Sequence, residues 1–141
     1  MRFADCESGV ALVTDWEKDF GLPKTTVKGG VCISGIYEMA PVRLSWRRTY
    51  VNFTDEMAEE MSPVRRVNML NAPVIVTYGT FETPDFQRQS RDFADAIKAA
   101  GKSAEFIEAQ NYAHMEMMES LGHPYSPVGR AALAMMNLAP T

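Results

Sequence analysis

The stretch VIVTYGTFETPDFQRQS, residues Val74 to Ser90, decides the fold. Its first five residues are a continuous apolar and β-branched run, the pattern of a strand buried on both faces. Tyr78-Gly79 ends the run. A short acidic turn follows, and Thr83-Pro84 opens a helix, with proline at the first helical position, where its missing N–H costs nothing. Strand, tight turn and helix in immediate succession are the opening of a crossover unit. Phe86, Phe93, Ile97 and Ala100 recur at helical spacing, so the helix runs to Ala100 with Gly101 as its C-cap.

Working outward, Ser103 to Ala109 reads as a second strand. Val27 to Ile36 (VKGGVCISGI) reads as a third, with glycines near its start and end that mark close packing or bends. Val10 to Trp16 is apolar and fits helix or strand equally; a charged helical piece, Asp15 to Asp19, follows and breaks at Gly21-Leu22-Pro23. Tyr37 to Asn52 reads as irregular. Thr54 is placed to N-cap a short acidic helix through Met61, with Asp55 and Glu56 at its positive end. Ser62-Pro63 opens another short helix to about Leu70, stopped by Asn71-Ala72-Pro73. Asn111-Tyr112 begins a loop that carries His114, ahead of a short helix to about Leu121. Ser126-Pro127 starts a last helix with Val128, Ala131, Ala132, Met135 and Met136 inward. Alternating strands and helices predict an α/β chain: a three-layer sandwich with a short parallel sheet of three strands between helices. No repeat or low-complexity segment interrupts a single domain over residues 1–141.

Composition narrows the function classes. The 141 residues are 46% hydrophobic and 23% charged, with a net charge of −4. That balance argues against a nucleic-acid partner, which needs a basic face. Arg47-Arg48 and Arg65-Arg66 are isolated pairs whose simpler reading is solvated surface. No apolar run approaches the roughly 18 residues of a membrane span. The N-terminus MRFADCESGV lacks the long apolar core of a signal peptide, so a cytoplasmic chain with Cys6 and Cys32 reduced is expected. Two cysteines and two histidines, without CxxC or HxxxH spacing, argue against a zinc site. No metal or other cofactor is expected.

In a parallel sheet with right-handed crossovers, ligand chemistry gathers at the carboxyl edge of the strands. The turn Gly79 to Thr83 and the loop Asn111 to His114 both fall there. Together they offer a carboxylate and an imidazole. A carboxylate that accepts from one ring nitrogen fixes the tautomer and leaves the other nitrogen as a base. Two carboxylates compete for that role. Asp85 lies in the first helical turn, where the helix dipole alone accounts for a negative charge. Glu82 precedes the helix and has no such explanation, so Glu82 is the favoured partner of His114. The simpler reading of His114 is a helix cap, and of His123 a surface turn. Glu116 and Glu119 read as an exposed helix face.

Leu70-Asn71-Ala72-Pro73, Tyr78 to Phe93 (YGTFETPDFQRQSRDF) and Asn111 to Met117 (NYAHMEM) resemble the C-terminal half of α/β-hydrolases of the kynurenine formamidase (arylformamidase) and esterase–lipase type. Val13 to Pro23 (VTDWEKDFGLP) and Ser34 to Ser45 (SGIYEMAPVRLS) are similar to a bacterial branch of the same group, so the resemblance runs from about Val10 onward. It implies a serine hydrolase of carboxylic esters or aryl N-formyl amides. It also implies Glu82 as catalytic acid, His114 as catalytic base, and a substrate pocket built partly from Tyr37 and Arg43 to Phe53.

The chain also departs from that pattern. The group's nucleophile elbow, G-x-S-x-G between a strand and a helix, does not occur. Ser8-Gly9 follows Asp5-Cys6-Glu7, with neither a first glycine nor a strand ahead of it. Gly30-Val31-Cys32-Ile33-Ser34 lies inside a strand pattern, where Cys32 reads as a small buried hydrophobe. The early loop that supplies oxyanion donors is not found either. Loss of the nucleophile costs such triads on the order of a millionfold. The expectation is therefore a C-terminal portion of a hydrolase, truncated and inactive by itself, with a complementing N-terminal chain as one possible partner. The competing expectation is a non-catalytic remnant or binding module that associates with itself through the open edge of the Val27 to Ile36 strand. A thiol hydrolase using Cys6 or Cys32 is the third.

Overall fold

The computed structural model describes residues 4–45, 49, 52 and 54–138, with residues 4–7 as backbone only. Among the described residues the sheet has three strands in the order β1-β2-β3, all parallel: β1 Gly30–Ile33, β2 Val74–Gly79 and β3 Ala104–Ala109. Val74 pairs with Gly30 on one side and Ala104 on the other, and Thr77 with Ile33 and Ile107. β2 is buried along its whole length, as its uninterrupted apolar run requires. β3 forms one edge, where Glu105 and Glu108 are exposed. Charged residues there discourage pairing with a further strand.

Helices cover both faces. Cys32, Val74 and Val76 pack against Leu12 and Val13 of α1 (Ala4–Val13) and Phe93, Ala94 and Ile97 of α5 (Pro84–Ala99). Val31, Ile33 and Ala109 point the other way, toward Met117 of α6 (His114–Ser120) and Val128 of α7 (Pro127–Met135). The alternation along β1 is thus the pleat dividing two cores. A satellite cluster of Ile36, Met39, Val42 and Ala58 lies beneath α3 (Ala40–Arg43) and α4 (Asp55–Glu60).

Local chemistry accounts for most element boundaries. Val10 to Trp16, open between helix and strand, is helix up to Val13; the separate helix α2 (Trp16–Phe20) then starts under Asp15, whose carboxylate accepts from Lys18 N–H. Thr54 Oγ1 accepts from Met57 N–H at 3.1 Å, and Ser126 Oγ from Gly129 N–H at 2.9 Å, as N-caps do. Ser62 does not cap the 3-10 helix Pro63–Met69; its hydroxyl donates to Ala58 O and accepts from Met39 N–H.

Three expectations need correction. The first strand is four residues long rather than spanning Val27 to Ile36, because Ser34 turns out of the sheet with a left-handed φ of 50°. Ala100 and Met136, expected inward, are exposed at the C-terminal ends of their helices. The segment Tyr37 to Asn52, read as irregular, contains α3. Arg65 is exposed, as its reading as surface has it, and bonds Glu38 through Nε and Nη2, at 2.9 and 2.8 Å, and also reaches Glu59. Burial pushes the Glu38 carboxyl up, but the bonds from Arg65, Ala40 N–H and Ser62 outweigh it and hold the group below its ordinary value. Arg47-Arg48 lies outside the described residues.

Phe93 is completely buried, and its ring stacks on Tyr37 with centroids 4.2 Å apart. Phe93→Ala should lower the unfolding free energy by about 3–5 kcal/mol in a denaturant titration. A loss below about 1 kcal/mol would show that α5 does not anchor this core.

Candidate functional site

The turn after β2 is built backbone first. Thr80 N–H donates to Ala109 O, tying the ends of β2 and β3 together, and Glu82 N–H donates back to Gly79 O at 3.0 Å. That tight turn folds the Glu82 side chain over the strand end, where Oε2 accepts from Gly79 N–H at 3.0 Å. Gln87, one turn into α5, donates through Nε2 to Glu82 O and Thr80 O. A helix residue thereby holds the loop from which Glu82 projects.

The second loop leaves β3 at the same edge. Asn111 takes a left-handed φ of 66°, a conformation asparagine tolerates. Its N–H donates to Thr80 Oγ1 at 2.8 Å, and Phe81 N–H donates to Tyr112 O at 3.1 Å, so the two loops are stitched together. The approach is so close that a Cβ on Gly79 would lie 2.1 Å from Tyr112 O. Glycine is required at this position by the contact, not by its own dihedrals.

His114 is the first residue of α6 rather than part of the loop. Glu116, expected on an exposed face, also reaches back to accept from Ala113 N–H at 2.7 Å, and the helix starts one residue earlier than expected. The start of α6 and the turn after β2 then meet through side chains. His114 Nδ1 lies 2.5 Å from Glu82 Oε1. The Glu82 side chain is fully buried, whereas that of His114 is 38% exposed. Phe86 covers one face of the imidazole, with ring centroids 4.6 Å apart. Among the described residues nothing hydrogen-bonds the opposite ring nitrogen, Nε2.

The structure brings Glu82, not Asp85, to His114. Asp85 instead pairs with Arg88 at 2.5 Å and accepts from Gln89 Nε2. His123 is exposed in the turn after α6, its Nδ1 accepting from Tyr125 N–H at 3.3 Å. Tyr37, expected at a substrate pocket, is 2% exposed within the core, and Gly35 N–H donates to its hydroxyl. Trp46 to Arg48, Tyr50, Val51 and Phe53, also expected there, lie outside the described residues. Cys32 is buried, and desolvation pushes its thiol up to about 12, which keeps it from being a thiolate at neutral pH. The Cys6 side chain is outside the description. Ser8 is exposed within α1, on a helix and not at a strand-to-helix turn. Four contributors escaped sequence reasoning: Gly79, Thr80, Phe86 as an imidazole cover, and Gln87. Each acts across a fold contact, and only Gly79 carries a local signal, as a glycine closing a buried strand.

Comparison with known proteins follows the same outline. No protein-family model matches the sequence. The chain is 27% identical over 119 residues to a kynurenine formamidase of Danio rerio, a match covering 81% of this chain. It spans about 40% of the length of the curated relatives it matches. Among solved structures, a Silicibacter sp. protein classed as a thioesterase superposes with a TM-score of 0.71 at 23% identity, over 85% of this chain and 45% of the other. An acylaminoacyl peptidase, solved with a chloromethyl ketone, superposes with a TM-score of 0.69 at 16% identity, over 99% of this chain and 23% of the other. The chain therefore has a partial α/β-hydrolase fold and resembles the kynurenine formamidases in sequence.

The Gly79 contact yields a test. Gly79→Ala forces a Cβ into Tyr112 O, and overpacking of this kind costs about 1–3 kcal/mol. The loss should appear in urea unfolding together with a displaced His114 ring signal in NMR spectra. A stable Gly79→Ala chain with an unmoved His114 signal would show that the two loops are not locked at this point.

Proposed function

We propose that Glu82 and His114 are the acid and base of a serine hydrolase acting on carboxylic esters or aryl N-formyl amides. The observation that carries this reading is the contact between Glu82 Oε1 and His114 Nδ1, made by a carboxylate with no solvent exposure. An Nδ1–H donated to Glu82 leaves the Nε2 lone pair free to accept a proton. A serine hydroxyl attacks the carbonyl carbon of the substrate and passes its proton to Nε2. Glu82 stabilises the imidazolium that results. The tetrahedral intermediate collapses, the bond to the leaving alkoxide or amine breaks, and His114 returns the proton to that group. Water then repeats the sequence on the acyl-enzyme and releases the acid. The resemblance to kynurenine formamidases and the hydrolase fold of the structural neighbours support the reaction class. No metal is needed in this scheme.

The nucleophile and the oxyanion donors belong, in this reading, to residues outside these 141. The 141 residues are the C-terminal portion of the hydrolase, and β1 is the place where the remainder joins. Among the described residues, β1 is hydrogen-bonded on one side only, by β2. Its other edge fits a parallel strand from a complementing segment. It also fits a second copy of the chain, the non-catalytic alternative, which size-exclusion chromatography with light scattering would reveal as a dimer.

The test is hydrolysis of an activated phenyl ester. The 141-residue chain alone should turn over no faster than its His114→Ala variant. Joined to a segment carrying a strand, a G-x-S-x-G turn and a helix, it should gain a turnover that His114→Ala lowers by at least about a thousandfold. Turnover by the joined protein that ignores His114 would reject the assignment. A His114-dependent rate from the 141 residues alone would place the nucleophile within them.

A further inference from the structure

A small cleft of about 210 Å³ is lined by Ile36, Pro41, Val42, Ser45, Asp85 and Phe86. Phe86 belongs to both features: one contact is with the cleft, the other is the stacking on the imidazole. The walls come from distant parts of the chain. One is the first turn of α5; the other is the segment following β1 together with α3.

A single side chain joins the two walls. Gln89, 2% exposed, lies three residues beyond Phe86 and so on the same side of α5. Its Oε1 accepts from Tyr37 N–H and from Glu38 N–H, each at 2.8 Å, and its Nε2 donates to Asp85 Oδ2 at 3.3 Å. Two consecutive backbone donors in a buried turn thus depend on one oxygen of a helix residue. Glu38 holds the far side of that turn through Ala40 N–H, Ser62 and Arg65. Gln89 thus ties this turn to α5.

We propose that Gln89 is the positioning residue that sets the width of this cleft, and that the cleft receives the non-reacting apolar group of the substrate. The inference rests on the acyl-transfer reading of Glu82 and His114. Whole ligand pockets occupy roughly 300–1,000 Å³. A cleft this small takes one compact group, a single ring or a short branched chain, and refuses a fused ring system. Selectivity by bulk is then set at a position that touches neither the substrate nor the imidazole.

Binding to the 141-residue chain tests this without turnover. Benzamide and 2-naphthamide are titrated in, and the ring signals of the two histidines are followed by NMR. Benzamide is expected to shift the His114 signals through Phe86, to leave His123 unmoved, and to bind more tightly than 2-naphthamide. Val42→Phe, which fills the cleft, should weaken benzamide about tenfold. Gln89→Met removes the shared acceptor and should lower the benzamide-to-naphthamide preference about tenfold. The double variant Gln89→Glu/Asp85→Asn keeps the shared acceptor and exchanges donor and acceptor with position 85, and should retain the preference. Should Gln89→Met fail to fold, Val42→Phe and the double variant Gln89→Glu/Asp85→Asn still decide the matter. An unchanged affinity in Val42→Phe would overturn the proposal. So would a response at His123, which lines a separate cleft of about 540 Å³ beside α6, or a preference that Gln89→Met leaves intact. Benzamide binding at His114 without His114-dependent ester turnover in the joined protein would reject the acyl-transfer reading and leave the cleft standing. Turnover with an unaltered preference in Gln89→Met would reject the Gln89 assignment alone.

Discussion

The carboxylate of Glu82 is the point on which the edge of this sheet depends. It is removed entirely from water, yet it is held on both oxygens: Gly79 N–H on one, His114 Nδ1 on the other. A buried carboxylate is tolerated only when such partners replace its hydration. The two partners come from different segments: Gly79 ends β2, and His114 opens α6 after β3. Forming the pair therefore requires β2 and β3 in register, Gly79 without a side chain, and α6 starting at His114. The site and the fold are one construction at this edge.

A gradient of rigidity surrounds the pair. Glu82 is gripped by its own turn and by Gln87 from α5, whereas His114 is partly open to solvent. In the proposed acyl transfer that asymmetry would suit an orienting carboxylate, which should not move, and a proton-transferring imidazole, which a reacting group must reach. The aromatic face of Phe86 restricts how far the ring can swing. The helix that supplies Phe86 is also the one that Gln89 clamps to the turn after β1. Much of the local order around the imidazole traces to successive turns of α5.

Where local pattern and fold agree, the sequence was readable. Val74 to Gly79 is a strand because nothing polar enough to face water interrupts it, and α5 follows where Thr83-Pro84 and the apolar stripe behind it favour a helix start. The parallel sheet follows from the spacing of those elements. Glu82 stood out against Asp85 because the helix dipole explains one and not the other, and the two face different partners in the structure. What could not be read depends on contacts between distant residues. The early end of β1 lies in the left-handed turn at Ser34, a residue type with no strong preference for it. The start of α6 at His114 depends on Glu116 reaching a backbone donor, and the need for glycine at position 79 on a carbonyl 33 residues later. Tyr37 reads as a pocket residue by resemblance, yet its stacking on Phe93 draws it into the core.

The central claim is that Glu82 fixes the tautomer of His114, and nitrogen NMR of the imidazole measures this directly. With only two histidines in the chain, the His114 signals are assigned by comparison with His114→Ala. In its neutral form, His114 should carry the proton on Nδ1 and present a bare Nε2, and Glu82→Ala should return it to the Nε2–H form that a free imidazole prefers. A wild-type His114 protonated on Nε2, or a tautomer indifferent to Glu82→Ala, would contradict the account.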